Sequence, residues 1–323
     1  GVKMAIDLEL PTYVLINPAS RTGYSVKVWE EVAPLFAQAG VECRVILSTA
    51  GENMEISARH ITETADGPIQ LIVLGGDGSL NEVINGIRDL TQVTLGYIPT
   101  GSGNDFARSI GIEDEKDAAR KILADGAPVM RDLGEIRCRD AENGNEVIRR
   151  FLSAAGIGFD AHSAWFTDHT RLKKPLNLLR LGRLNYIISA LRLLLRFPLF
   201  PLDVTVQDEG RPTTHSFRRA RFAVCGNHKY EGGGFQFTPD ADGTDGLLDV
   251  CVIHDLGRLA FLKEFHTCYD GSHVGGKYAT ILRGRKVMVR TAYPQYFHTD
   301  GEVSAKTEKL YVKLAEHRIR WMA

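Results

Sequence analysis

Two glycine-rich turns, Gly75-Gly76-Asp77-Gly78-Ser79 and Gly101-Ser102-Gly103-Asn104-Asp105, stand close together in the chain. Each follows a short apolar run, Leu71–Leu74 and Leu95–Ile98, that reads as a buried parallel strand. Helix starts are expected after them, at Leu80 and Asn104. Both turns therefore sit at the carboxyl ends of strands, where an open α/β sheet binds ligands and helix-start N–H groups favour phosphate. The glycines let the backbone approach closely, Asp77 offers a carboxylate to a metal or ribose hydroxyl, and Ser79 offers a hydroxyl to a phosphate oxygen. One such turn alone is as easily a plain structural turn; two, each with a Ser and an Asp, favour a phosphate site.

Carboxylates recur in two later places. Asp240, Asp242, Asp245 and Asp249 share one Gly-containing loop, which on sequence alone either binds a hard cation or holds solvated turn acids. The spaced Glu of an EF-hand is missing. Farther on, Asp300-Gly301-Glu302 sets a glycine between two acids, so a sharp turn could aim both into a cleft; alone it is an ordinary hairpin turn. Arg21, in the turn after the first strand, reads as a solvated loop residue more readily than as a phosphate contact.

These residues need a scaffold. Thr12–Ile16 and Val41–Leu47 read as strands, and residues 25–39, Asn53–Thr64 and Glu113–Asp125 as helices. With the two opening turns they make four strand–helix repeats, an open, mainly parallel, three-layer α/β sheet spanning residues 10–130. The pattern then changes. Val129–Arg139, Glu146–Ala155, Leu202–Gln207 and Ser216–Cys225 are strand-like, and 140–145 is a polar hairpin, so 131–305 is expected to be an antiparallel β domain. Gly232, Gly233 and Gly234 suggest close backbone approach or a flexible rim. Arg171–Arg196 carries seven Lys or Arg and no acid, with Leu184, Ile187, Ile188, Leu191 and Leu195 at helical spacing. It reads as an amphipathic basic helix, either packed on the core with a solvated face or turned to anionic lipid.

Composition narrows the class. A chain of 323 residues with 44% hydrophobic content can bury the cores of two domains. A net charge of −1 gives no global pull toward nucleic acid or membrane, and no aromatic–basic interleaving marks a nucleic-acid module. Cys43, Cys138, Cys225, Cys251 and Cys268 are scattered without ligand spacing and read as reduced residues of a cytoplasmic protein. No apolar run of about 18 uncharged residues spans a membrane. The first nine residues carry two acids and no adequate apolar segment, so export is not expected.

The run Gly75–Glu82 together with Pro99–Ala107 resembles the catalytic domain of the diacylglycerol kinase family, in its bacterial soluble lipid-kinase branch. The Gly-Gly-Asp-Gly turn is shared with NAD kinases; the Gly-Ser-Gly-Asn-Asp-Phe-Ala turn is far more specific. Gly232–Pro239, Asp245–Asp249 and Asp300–Glu302 resemble the same branch. The resemblance implies an NAD-kinase-like N-terminal domain, a C-terminal β-sandwich, and a return of the last strands, 306–323, to the first domain. It implies ATP as donor, with Gly75, Gly76, Asp77, Gly78, Ser79, Asn81, Gly101, Ser102, Gly103 and Asn104 at the nucleotide and a catalytic Mg²⁺ near Asp77. A structural Mg²⁺ would sit on the Asp245 side chain with the carbonyls of Asp242 and Leu247. Asp300 and Glu302 would be catalytic carboxylates, with Glu302 as base on the primary hydroxyl of a membrane lipid.

Three departures matter. Leu47 stands where relatives place a nucleotide-linked Thr, so that contact is lost or moved to Ser48 or Thr49; Ser153 replaces an Asn; Ser79 and Ser102 replace Thr and keep the hydroxyl. The implied reaction converts diacylglycerol to phosphatidic acid at the inner face of the membrane, by peripheral contact. A sphingoid base, ceramide or monoacylglycerol as acceptor, an NAD kinase, a non-catalytic nucleotide or lipid binder, and a homodimer stay open.

Overall fold

The computed structural model describes residues 4–169, with side chains to 164, and residues 197–322. The basic helix expected over Arg171–Arg196 lies outside the described residues. The first half alternates β1 (Thr12–Ile16), α1 (Tyr24–Gln38), β2 (Cys43–Leu47), α2 (Met54–Thr64), β3 (Ile69–Gly75), α3 (Asp77–Gly86), β4 (Val93–Pro99), α4 (Asp105–Ser109) and α5 (Glu115–Ile122). Caps set several of these ends: Asn53 accepts the Ile56 N–H to open α2, and Asp114 accepts the Asp117 N–H to open α5. Every residue of β3 and β4 is buried, which is why both read as continuous apolar runs. They pair in parallel from Ile69 opposite Val93 to Gly75 opposite Pro99. This register delivers the two glycine turns side by side at one sheet edge.

The second half holds β5 (Val129–Arg131), β6 (Gly134–Arg139), β7 (Glu146–Phe151), β8 (Ala154–Gly158), α6 (Phe159–His169), β9 (Phe200–Gln207), β10 (Thr213–Gly226) and β11 (Leu248–His254). It continues with α7 (Arg258–Glu264), α8 (Thr267–Asp270), β12 (Ala279–Gly284), β13 (Lys286–Thr299), β14 (Glu302–Leu314) and β15 (Ile319–Trp321). The first sheet runs β2-β1-β3-β4-β15-β5, parallel except for β5. The second is antiparallel, in the order β12-β11-β10-β8-β13-β14-β6-β7, with β9 joined to both β10 and β13.

Bulges fold that second sheet into a sandwich. The first part of β13, Lys286–Thr291, pairs with β9, and the last part, Phe297–Thr299, pairs with β8. The register breaks between them, around Pro294, a residue that cannot donate to a ladder. The enclosed core includes Phe151, Phe200, Phe222, Val250, Val289 and Phe297.

Expected Val129–Arg139 splits into β5, in the first sheet, and β6, and Glu146–Ala155 splits into β7 and β8; two further differences bear on the site. Among the described residues of 306–323, Ile319–Trp321 is the part that joins the first sheet; β14 stays in the sandwich, where Leu310 and Val312 enter the core. Helix α3 begins at Asp77 rather than Leu80, so the glycine turn itself supplies the first helical turn.

Candidate active site

The two glycine turns are pressed together. A Cβ on Gly101 would lie 2.6 Å from Gly76 Cα, a separation no side chain tolerates. Thr100 N donates to Gly75 O at 2.8 Å, and the Tyr97 hydroxyl reaches the same carbonyl at 3.2 Å. Asn104, at φ +53°, closes its own turn: Oδ1 accepts from Gly101 N and Nδ2 donates to Gly101 O, both at 3.0 Å. Ser102 is exposed at the tip. Ser79 is buried, and its Oγ accepts from Asn17 Nδ2 at 2.8 Å.

Asp77 ties the turns to each other. Its Oδ2 accepts from Asp105 N at 2.9 Å and its Oδ1 from Phe106 N at 3.2 Å. Two of the amides that open α4 are thus spent on Asp77. Burial, then repulsion from Asp105, pushes the Asp77 carboxyl up to about 6. Asp105 in turn accepts from Gly233 N at 2.7 Å, and Gly232, Gly233 and Gly234 all have positive φ. The triple glycine therefore lets a loop of the β domain dock on the second turn.

The late acidic turn comes to the same edge. The Asp300 carboxylate receives four N–H groups: Leu152 N at 2.8 Å, Ser153 N at 2.7 Å, Ala154 N at 3.1 Å and Asn81 Nδ2 at 2.9 Å. Burial pushes its pKa up and these donors pull it back. So engaged, Asp300 braces the turn between the two domains. Glu302, exposed at the start of β14, extends over the first turn: a Cβ on Gly78 would lie 2.7 Å from Glu302 Oε1. Residues 77, 101 and 302 are thereby brought together from both ends of the chain.

Asn81 is corrected by this geometry. It is fully buried, and its Nδ2 donates to Arg150 O and Asp300 Oδ2, so it positions Asp300 from behind rather than meeting a nucleotide. Arg21 stacks over the Tyr24 ring at 4.4 Å. Ser48 is buried, and the Thr49 hydroxyl accepts the Glu52 N–H within its own turn. Sequence reasoning missed Arg149 and Arg150: Arg149 pairs with Glu55 at 2.8 Å, and Arg150 donates to Ile84 O and Ile87 O, docking β7 on α3. Only their distance in space, invisible in the chain, gives them this role.

The acidic loop lies at the domain joint. Gly246 N donates to Asp132 Oδ2 at 2.8 Å, and Arg318 pairs with Asp132 at 2.7 Å. Asp249 is buried on Arg283. Asp242 Oδ1 accepts from Thr244 N and Oγ1, and Asp245 Oδ1 accepts from Leu247 N. Burial, with repulsion from Asp242 and Asp249, raises the Asp245 carboxyl. The Asp245 N–H also donates to Asp242 O at 3.3 Å, so Asp245 and the Asp242 and Leu247 backbone share one tight turn, the place where the resemblance would put a hard cation.

Comparison with known proteins agrees with this arrangement. Residues 11–136 match the family model described as the diacylglycerol kinase catalytic domain, and residues 153–314 match the YegS C-terminal NAD kinase beta sandwich-like domain. A Mycobacterium tuberculosis protein named diacylglycerol kinase is 31% identical over 85% of this chain and 83% of its own. A Bacillus subtilis protein of the same name is 27% identical over 94% of this chain and 93% of its own. A solved structure described as a diacylglycerol kinase from Bacillus anthracis superposes with a TM-score of 0.65 at 19% identity, over 97% of this chain and 96% of that one, which bears on the fold. The chain belongs to the diacylglycerol kinase catalytic-domain family, in its lipid-kinase branch with the YegS-type β-sandwich.

Proposed function

We propose that the protein transfers the terminal phosphoryl group of ATP to the primary hydroxyl of a membrane lipid, with Glu302 as general base. The observation that carries this reading is the Glu302 carboxylate held over Gly78, at the opening of α3. Phosphoryl transfer asks mainly for positioning and charge stabilisation. The amides opening α3, with the backbone of both turns, hold the phosphates, and Asp77 is the carboxylate that would hold Mg²⁺. When bound, that ion offsets charge developing on the transferred group. Glu302 takes the hydroxyl proton as the lipid oxygen bonds to phosphorus and the bond to ADP breaks. Asp300, its lone pairs met by four donors, holds the turn.

Diacylglycerol is the acceptor suggested by the relatives' names, giving phosphatidic acid. Sphingoid bases, ceramide and monoacylglycerol present the same hydroxyl. Membrane contact at the cytoplasmic face suits α7, where Leu259 is 85% and Leu262 50% exposed beside Arg258 and Lys263. Among the described residues no helix is long and apolar enough to cross a membrane.

Labelled ATP offered with each of these lipids in micelles, and with NAD, tests the reading. Labelled phospholipid is the expected product; label on NAD alone would overturn it.

A further inference from the structure

Two residues before Asp300, His298 is buried and bonded through both ring nitrogens. Its Nδ1 accepts the Gly301 N–H at 3.1 Å, and its Nε2 pairs with Asp160 Oδ2. Gly156, opposite His298 in the β8–β13 ladder, makes room: a Cβ there would lie 2.4 Å from Nε2 and 2.6 Å from Asp160 Oδ2. Glu231 completes the cluster, with ligand atoms of all three residues within 4.8 Å and both Glu231 oxygens buried without a hydrogen-bond partner.

A ring nitrogen that accepts an amide N–H carries no proton. The ring proton therefore sits on Nε2 and is donated to Asp160. Burial pushes this ring down while Asp160 and Glu231 pull it up, to about 9; a ring charged on both nitrogens would set an Nδ1 proton against the Gly301 N–H, and the 3.1 Å contact there decides for the neutral ring. The same assignment argues against a metal at the cluster. A cation on Nε2 would move the proton to Nδ1, against the Gly301 N–H, whereas a metal-bound histidine donates its other N–H to an acceptor.

This bond and the pairing of Thr299 with Glu302 flank the turn. Asp300 and Gly301 stand at φ +50° and +85°, and a non-glycine residue in the left-handed region persists when its surroundings hold it there. The Asp300 side is held by its four donors and by its own N–H on Ala154 O. The Gly301 side, which leads into Glu302, is held through His298.

We propose that His298 is a positioning residue for Glu302: Nδ1 fixes the Gly301 peptide, and Asp160, by taking the Nε2 proton, fixes the tautomer that leaves Nδ1 free to do so. This rests on the kinase reading for its effect on turnover, and on geometry alone for the tautomer.

Two near-isosteres separate the nitrogens. His298→Asn can set an amide oxygen where Nδ1 stood; His298→Gln reaches toward Asp160 and leaves Gly301 without an acceptor. With the full chain, ATP and a lipid acceptor, kcat is expected to fall about 100-fold for His298→Gln and less than about 5-fold for His298→Asn, with KM for ATP within about 2-fold for both. Imidazole nitrogen shifts, recorded without substrate, are expected to show a bare Nδ1 and protonated Nε2 in the wild type, and mixed tautomers in Asp160→Ala. Equal turnover of the Gln and Asn variants, or a protonated Nδ1 in the wild type, would overturn the proposal. A wild type that phosphorylates no lipid alcohol would instead defeat the kinase reading, while the nitrogen shifts still decide whether His298 can hold the turn.

Discussion

Asp300 and Glu302 stand two positions apart and do different work because their surroundings differ. Four donors converge on Asp300, two of them at each oxygen. Asp300→Asn would turn an amide group toward backbone N–H donors, leaving them without an acceptor. A loss of about 2–3 kcal/mol in unfolding free energy is expected from such buried charge-assisted bonds, read by denaturant titration; an unchanged midpoint would contradict the bracing role. Asp77 titrates differently. Its carboxyl rises from 3.8 to about 6 on folding, so the native state keeps a proton that the unfolded chain releases between those values. Its contribution to stability therefore grows as pH falls through that window. The ionised form that receives Asp105 N and Phe106 N is lost over the same range, so kcat/KM for ATP, which reports the free enzyme, is expected to show an acid limb near pH 6. A pH–rate profile flat down to pH 5 would count against Asp77 in the site.

The paired turns come from β3 and β4, whose complete burial made both strands and their exits readable from the chain. The start of α3 was not, because glycine is a poor helix former and Asp77-Gly78-Ser79 carries no apolar period. The long strands hid for another reason. In β13, fourteen residues pair with β14 along one edge and with β9 and then β8 along the other, across a bulge, so no single alternation runs through it. The resemblance put Asn81 at the nucleotide along with the glycine turn it follows; the helix turns it inward onto Asp300. Contact between the turns themselves gives a direct test. Gly101→Ala would set a methyl group 2.6 Å from Gly76 Cα, backbone against backbone. ATP binding by calorimetry is expected to weaken at least about 10-fold, with about 1–3 kcal/mol lost in stability. Wild-type affinity would show that the turns can separate freely.

At the scale of the molecule, two domains are locked by contacts that also build the site. Asp105 receives Gly233 N, Asp300 receives the amides that lead into β8, and Asp132 joins Gly246 N to Arg318. The glycine turns and the acidic turn were readable one by one; the bracing residues Arg150, Asp160, Glu231 and His298 were not, since each gains meaning from a neighbour far away in the chain. Because the lock places Glu302 over Gly78 without burying it, its chemistry separates from folding. Turnover of Glu302→Gln with ATP and a lipid alcohol, measured beside its thermal unfolding, tests the central claim. Loss of about 10²–10⁴ in kcat, with the unfolding midpoint within about 2 °C of wild type, is the expected result. Wild-type turnover in that variant would show that Glu302 is not the base.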